Sequence, residues 1–229
     1  MSEYGFEGFD FSEHYPCRVY RELEVGEQTV IFADPADSQD YCAAVVFSKK
    51  HYDFPIVFNE VIESSQFGYE LHNLAKYVNN RTNLWPKMAV ERNTGQATLF
   101  VLQQLNYPDM FRMVDFSSTT PREGGGMGWV TTGHLSGGEL QGTRRKMLDD
   151  LAHSIRQGVF KMYDQEQLKQ LKAFVIVKGG RAQAKSGKHD DLVMATAGAW
   201  QVAQLTPDID FGDYDEGALR EAREKWRFK

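Results

Sequence analysis

Apolar positions in the first half of the chain come in short runs broken by turns. QTVIFADP, from Gln28, predicts a strand that ends at Asp34-Pro35. YCAAVVFS, from Tyr41, predicts a second strand, and PIVFNEVIES, from Pro55, a third. The links between them are short, so antiparallel pairing is expected. FGYELHNLAKYVNN then carries Phe67, Leu71, Leu74 and Val78 at helical spacing. KMAVE, from Lys87, predicts a short buried strand. RNTGQATLFVLQQL follows as a helix whose N-terminal region is Asn93-Thr94-Gly95. FRMVD, from Phe111, predicts one more strand. Crossovers through helices predict parallel pairing for these later strands, in a mixed sheet flanked by helices.

The second half opens on TTPREGGGMGWVTTGHLSGG, from Thr119, with a strand-like core at Gly128 to Thr132. Its stretch from Glu123 to Gly138 has two readings, a gate over a cleft or a long surface loop. TRRKMLDDLAHSIRQG predicts a helix with Met147, Leu151 and Ile155 as its apolar stripe and Gly158 as its stop. Next come a short strand, a short helix, a strand from Ala173 and a basic hairpin. The last helix starts near Asp190 and runs towards Gln204. Residues 1–26 show no clear period and read as an arm or interdomain linker. Residues 27–206 read as one α/β domain, and 207–229 as a peripheral tail. Trp85, Trp129 and Trp200 are expected in core or loop packing.

Composition narrows the classes. At 229 residues the chain can bury one substantial core, and no apolar run approaches the length of a membrane span. The acidic, aromatic N-terminus MSEYGFEGFDFSEHYP is unlike a signal or transit peptide, so a soluble intracellular protein is expected. Cys17 and Cys42 are too few for a disulfide framework or a zinc ribbon, and Cys42 reads as a small buried residue. A net charge of -6 argues against a nucleic-acid binder held by global charge. Locally the sign reverses: residues 144–188 carry 11 Lys and Arg against 4 Asp and Glu. Arg144, Arg145, Lys146, Lys178, Arg181, Lys185 and Lys188 therefore form a candidate phosphate-binding surface. A solvated helix face followed by a soluble hairpin is the other account. Such contacts position a backbone and read no bases.

Three acidic positions fall at strand ends or a helix start. Asp34 ends the first strand, Glu91 the fourth, and Asp190-Asp191 open the last helix. Each has a structural reading on its own: a strand exit, an ion pair with Arg92, and an N-cap with its dipole partner. Together they point elsewhere. The C-terminal ends of parallel strands form the usual ligand crevice of such sheets. Carboxylates converging there repel one another unless hard cations neutralise them. Mg²⁺ or Mn²⁺ prefers oxygen ligands and is often shared between carboxylates and phosphate oxygens.

ADPADSQDY, AVERNTGQ, and the block from TRRKMLDDLAHSIRQG through GKHDDLVMATAGAW together resemble the nuclease domain of a tailed-phage terminase large subunit. The resemblance spans residues 28–205 and rests on an ordered set: a D-P-A strand exit, the second acidic element in AVERNTGQ, and an H-D-D helix opening. It implies a ribonuclease H-like fold and a Mg²⁺- or Mn²⁺-dependent DNA endonuclease using two ions. It also implies the roles. Asp34, Glu91, Asp190 and Asp191 would be metal ligands, Asp40 a secondary one, and His189 an orienting neighbour. The implied substrate is concatemeric viral double-stranded DNA. The implied partners are a packaging ATPase domain, a portal protein and a small terminase subunit, met at the procapsid portal in the cytoplasm of an infected bacterium. One part of the family pattern is missing: no G-x-x-x-x-G-K-[ST] occurs, so no ATP hydrolysis and no nucleotide cofactor are expected. The chain then reads as an excised nuclease domain or a separately encoded half. Two rivals stay open: another ribonuclease H-like nuclease, of junction-resolvase or transposase type, and a non-catalytic assembly module.

Overall fold

The structure is a computed structural model that describes residues 16–36, 40–115, 122–132, 134–136, 139–176, 182–184 and 189–209. In chain order its elements begin β1 (Cys17–Val19), β2 (Thr29–Asp34), β3 (Tyr41–Ser48), β4 (Asp53–Val61), α1 (Ser64–Thr82), β5 (Lys87–Val90) and α2 (Gln96–Gln104). They continue with β6 (Arg112–Asp115), β7 (Arg122–Met127), β8 (His134–Ser136), β9 (Glu139–Gln141) and α3 (Thr143–Gln157). The last are β10 (Lys161–Met162), α4 (Gln165–Ala173), β11 (Phe174–Ile176), β12 (Ala182–Ala184) and α5 (Asp191–Leu205). None of the described helices is long and apolar enough to cross a membrane.

The main sheet runs β1-β4-β3-β2-β5. β2, β3 and β4 pair antiparallel, as their short links require, and β5 joins β2 in parallel after the α1 crossover. Successive side chains of a strand point to opposite faces, and here both faces are covered. Val30 and Phe32 of β2 and Ala89 of β5 enter a core with α3 and α5. Ile31 and Ala33 of β2, with Met88 and Val90 of β5, enter a second core with α1 and α2. The result is three layers, helix on sheet on helix.

α5 is buried along almost its whole length, from Leu192 to Ala203. Its small residues Ala195, Ala197, Gly198 and Ala199 let it lie close on the sheet. The tightest place is Gly198, where an added Cβ would stand 2.5 Å or less from three carbons of the Phe32 ring. Polar side chains fix the helix sideways: Gln167 donates to Thr196 Oγ1 at 2.8 Å, and Gln201 donates to Asp150 at 2.7 Å.

Four sequence expectations need correction. Residues 16–26 are not without regular structure: β1 pairs antiparallel with β4, and Arg21 bonds Asp53 and buried Glu27. FRMVD does not extend the main sheet as a full parallel strand. A single parallel bridge joins Met110 to Met88, after which β6 pairs antiparallel with β7. Gly128 to Thr132 is likewise no strand but one bridge, Trp129 to Glu91. The slot beside β5 is shared by two chain segments because the Trp129 indole is fully buried against Phe32 and Phe111. Gly128, at φ +83, lets the chain enter there. In α3, Leu148 joins Met147 and Leu151 in the core, while Ile155 is exposed. Gly158 ends α3 in the left-handed conformation, as expected of a C-terminal stop. Trp129 and Trp200 lie in the core with α3 and α5, and Trp85 packs against the core with α1 and α2.

Gly198→Ala should lower the unfolding free energy by about 1–3 kcal/mol through overpacking against Phe32. Urea unfolding checks this, and an unchanged midpoint would contradict the close approach.

Candidate metal centre

Strand parity carries the first two acids to one side. Phe32 and Ala89 face the α5 core, so Asp34 and Glu91, two residues further along each strand, fall on the same face. The ladder pairs Ala33 with Val90, and Glu91 N donates to Ala33 O at 2.8 Å. Asp34 and Glu91 are therefore neighbours at the C-terminal ends of two parallel strands.

The turn after β5 holds Glu91 in place. Its Oε2 accepts from the Asn93 and Thr94 N–H groups at 2.8 and 3.2 Å, and the Thr94 hydroxyl lies at 3.3 Å. That hydroxyl also reaches Pro35 O at 2.7 Å, tying the two strand exits together. Ser64 Oγ donates to Ala36 O at 2.9 Å on the same exit. Gly95 is required by packing, since a Cβ there would run into the Glu91 carbonyl and Val90.

α5 brings the other acids. Asp190 occupies its N-cap position but makes no side-chain cap bond, contrary to the expectation that one aspartate caps the helix. Gln170 of α4 supplies that acceptor instead, taking the Leu192 N–H at 2.9 Å. Both carboxylates are thereby spared. Asp190 pairs with Arg144 at 3.1 Å. Asp191 Oδ2 is buried and has no hydrogen-bond partner. Outside them, Asp40 Oδ1 accepts from Tyr41 N at 3.2 Å and lies 3.3 Å from His189 Nδ1. His189 Nδ1 is also 3.8 Å from Asp191, and its ring meets the Tyr41 ring edge-on. One ligand atom from each of Asp40, His189 and Asp191 falls within a 4.8 Å group.

The charges of these acids bear on one another. Burial raises the Asp34 pKa well above 3.8, and the Glu91, Asp191 and Asp190 charges push it higher, against a smaller opposing pull from Arg144. Asp191 is pushed up to about 6, by burial first and then by Asp40 and Asp190, with His189 and its own N–H opposing. Mutually repelling carboxylates, one of them with a buried and unbonded oxygen, fit a hard divalent cation, with the His189 nitrogen beside them.

The predicted basic surface divides. Arg144 belongs to the acid cluster itself. Arg145 pairs with Asp149 and Lys146 with Asp150, one turn along the same helix. Lys178, Arg181, Lys185 and Lys188 lie outside the described residues, as does part of the glycine-rich stretch Glu123 to Gly138. The strand expected from Ala173 is present as β11, which pairs antiparallel with β12. Sequence reasoning missed Gln170 as the helix cap and Thr94 as the link between strand exits. Thr94 had a signal in its turn beside Glu91; Gln170 had none.

No family model matches the chain, and no curated protein sequence matches it. Solved structures do. The large terminase nuclease from thermophilic phage G20c superposes with a TM-score of 0.61 at 17% identity, over 83% of this chain and 90% of that one. Its form with bound magnesium gives 0.60 at 17% identity, over 83% and 89%. The Thermus phage P74-26 large terminase nuclease domain gives 0.57 at 16% identity, over 83% and 87%. The fold is that of these nuclease domains, a ribonuclease H-like mixed sheet flanked by helices.

A raised carboxylate pKa means that the folded chain holds its proton more tightly than the unfolded chain. Stability then falls as pH rises between the two values. For Asp191 that window runs from 3.8 to about 6. The metal-free protein should lose stability across it, and Asp191→Asn should flatten the slope. In EDTA at neutral pH, Asp34→Asn should be about 0.5–2 kcal/mol more stable than the parent, a gain of the kind found when a strained site is relieved. It should also lose most of the stabilisation conferred by added Mn²⁺. Calorimetry with and without Mn²⁺ checks both, and a destabilised Asp34→Asn would contradict the clustering.

Proposed function

We propose that this chain is a metal-dependent endonuclease of the terminase large-subunit type, which hydrolyses phosphodiester bonds in concatemeric viral double-stranded DNA during genome packaging. The observation that carries the reading is the convergence of Asp34, Glu91, Asp190 and Asp191 at the open end of parallel strands, in a fold shared with terminase nucleases. The magnesium-bound form of one of those neighbours supports a role for a divalent ion.

The residues divide the work. Asp34 is the acid on which the other three charges bear, so it would be the central ligand for Mg²⁺ or Mn²⁺. Glu91 is pre-oriented by backbone donors, and Asp191 offers a buried oxygen with no hydrogen bond. Asp190 completes the set. Asp40 and His189 stand on the outer side, where they hold each other and flank Asp191. Bound there, the ions supply Lewis acidity for activating water and for stabilising the departing 3′ oxygen. No protein nucleophile is needed. Burial pushes the Cys17 thiol up to about 12 and the Cys42 thiol up to about 11, so neither is a poised thiolate. The substrate is duplex DNA, and the partners are a packaging ATPase domain, a portal protein and a small terminase subunit. The place of action is the procapsid portal in the cytoplasm of the infected host.

Plasmid cleavage in Mg²⁺ or Mn²⁺ tests this. Asp34→Ala should cut more than about 100-fold slower than the parent, beyond the loss that outer-shell changes at a metal produce. Equal cutting by Asp34→Ala would sink the assignment. A parent that prefers four-way junctions to linear duplex would turn it into a resolvase. A folded parent that binds no Mn²⁺ would leave an assembly module.

A further inference from the structure

We infer that Arg144 serves the same reaction in two states. It neutralises the acid cluster when metal is absent, and once metals are bound it contacts a non-bridging oxygen of the scissile phosphate. This rests on the endonuclease reading and adds a residue to it. The first turn of α3 holds Arg144, Arg145 and Lys146 and no acidic residue. A helix N-terminus already carries partial positive charge, so cations there are at the unfavourable end. Arg145 and Lys146 offset this with Asp149 and Asp150, four residues along. Arg144 has no such recourse, because the residue four along is buried Leu148. Its partner is Asp190, across the fold on α5.

The position of Arg144 is built. Its own N–H donates to Thr132 O at 3.0 Å. Thr143 Oγ1 donates to Val130 O at 2.7 Å and accepts from Thr132 N at 2.8 Å. Gly142, at φ +102, fits against Thr132 where a Cβ would collide with its carbonyl. Thr131 O accepts from the Asn93 side chain at 2.6 Å, in the same turn that orients Glu91. The start of α3 is therefore bolted to the loop that holds the second acid.

Its bonding is incomplete. Nε is buried and makes no hydrogen bond, while Nη2 is engaged by Asp190. A guanidinium with unspent donors beside a phosphodiester site is suited to phosphate oxygens. Charge gives the sequence of events. With divalent cations held by the carboxylates Asp34, Glu91, Asp190 and Asp191, Arg144 would be free to leave Asp190. Its single positive charge then matches the single negative charge of a phosphodiester.

Arg144→Gln and Arg144→Lys in the full chain, with Asp34→Asn alongside, test this by Mn²⁺ calorimetry and single-turnover cleavage. Arg144→Gln should bind Mn²⁺ about tenfold more tightly, since a competing cation beside Asp190 is gone. It should nevertheless cleave about 100-fold more slowly at saturating DNA. Arg144→Lys should return Mn²⁺ affinity to the parent value and recover only part of the rate. An unchanged cleavage rate in Arg144→Gln overturns the proposal, as does Mn²⁺ binding that weakens together with a lowered Tm, the mark of a strut between α3 and α5. If Asp34→Asn also cuts like the parent, the endonuclease reading fails. If Asp34→Asn is inactive while Arg144→Gln cuts normally, only the Arg144 assignment falls.

Discussion

Repulsion among Asp34, Glu91, Asp190 and Asp191 is the force that the rest of the fold holds in check. Like charges gathered in a partly desolvated place work against folding. Burial first, and neighbouring carboxylates second, raise the Asp34 and Asp191 pKa values. The supports are rigid ones. Two acids stand at the ends of hydrogen-bonded parallel strands, and one of these is further held by backbone N–H groups. The other two open a helix buried along almost its full length. Close approach of Gly198 to Phe32 sets where that helix lies, and so where its N-terminus meets the strand ends.

The division of labour at that N-terminus shows how the fold keeps its acids available. An aspartate at an N-cap normally satisfies helix N–H groups. Here Gln170 takes the Leu192 N–H, and the Asp190 side chain turns to Arg144. The same pattern recurs at the strand exit, where Thr94 and Ser64 satisfy the Pro35 and Ala36 carbonyls. At these two places structural bonding is handed to neutral side chains, whereas Glu91 itself accepts backbone N–H groups.

Much of this was legible in the sequence, for identifiable reasons. Apolar runs and helical spacing located the strands and helices of the main sheet, because both faces of that sheet are buried. The D-P-A, E-x-N and H-D-D elements put four acids at strand exits and a helix start, which is where they lie. What stayed hidden depends on distance in sequence. The slot beside β5 is filled by Met110 and Trp129 from two separate segments, and no local period announces such sharing. β1 is only three residues long and owes its conformation to β4. Arg144 read as part of a basic stripe, and only the packing of α3 against α5 turns it towards Asp190.

The most direct measurement is anomalous scattering from a crystal of this protein soaked in Mn²⁺. The account predicts two peaks, both in contact with Asp34, one also touching Glu91 and one touching the Asp190-Asp191 pair. Mn²⁺ that touches only Asp40, His189 and Asp191, or none of these residues, would contradict a centre built around Asp34.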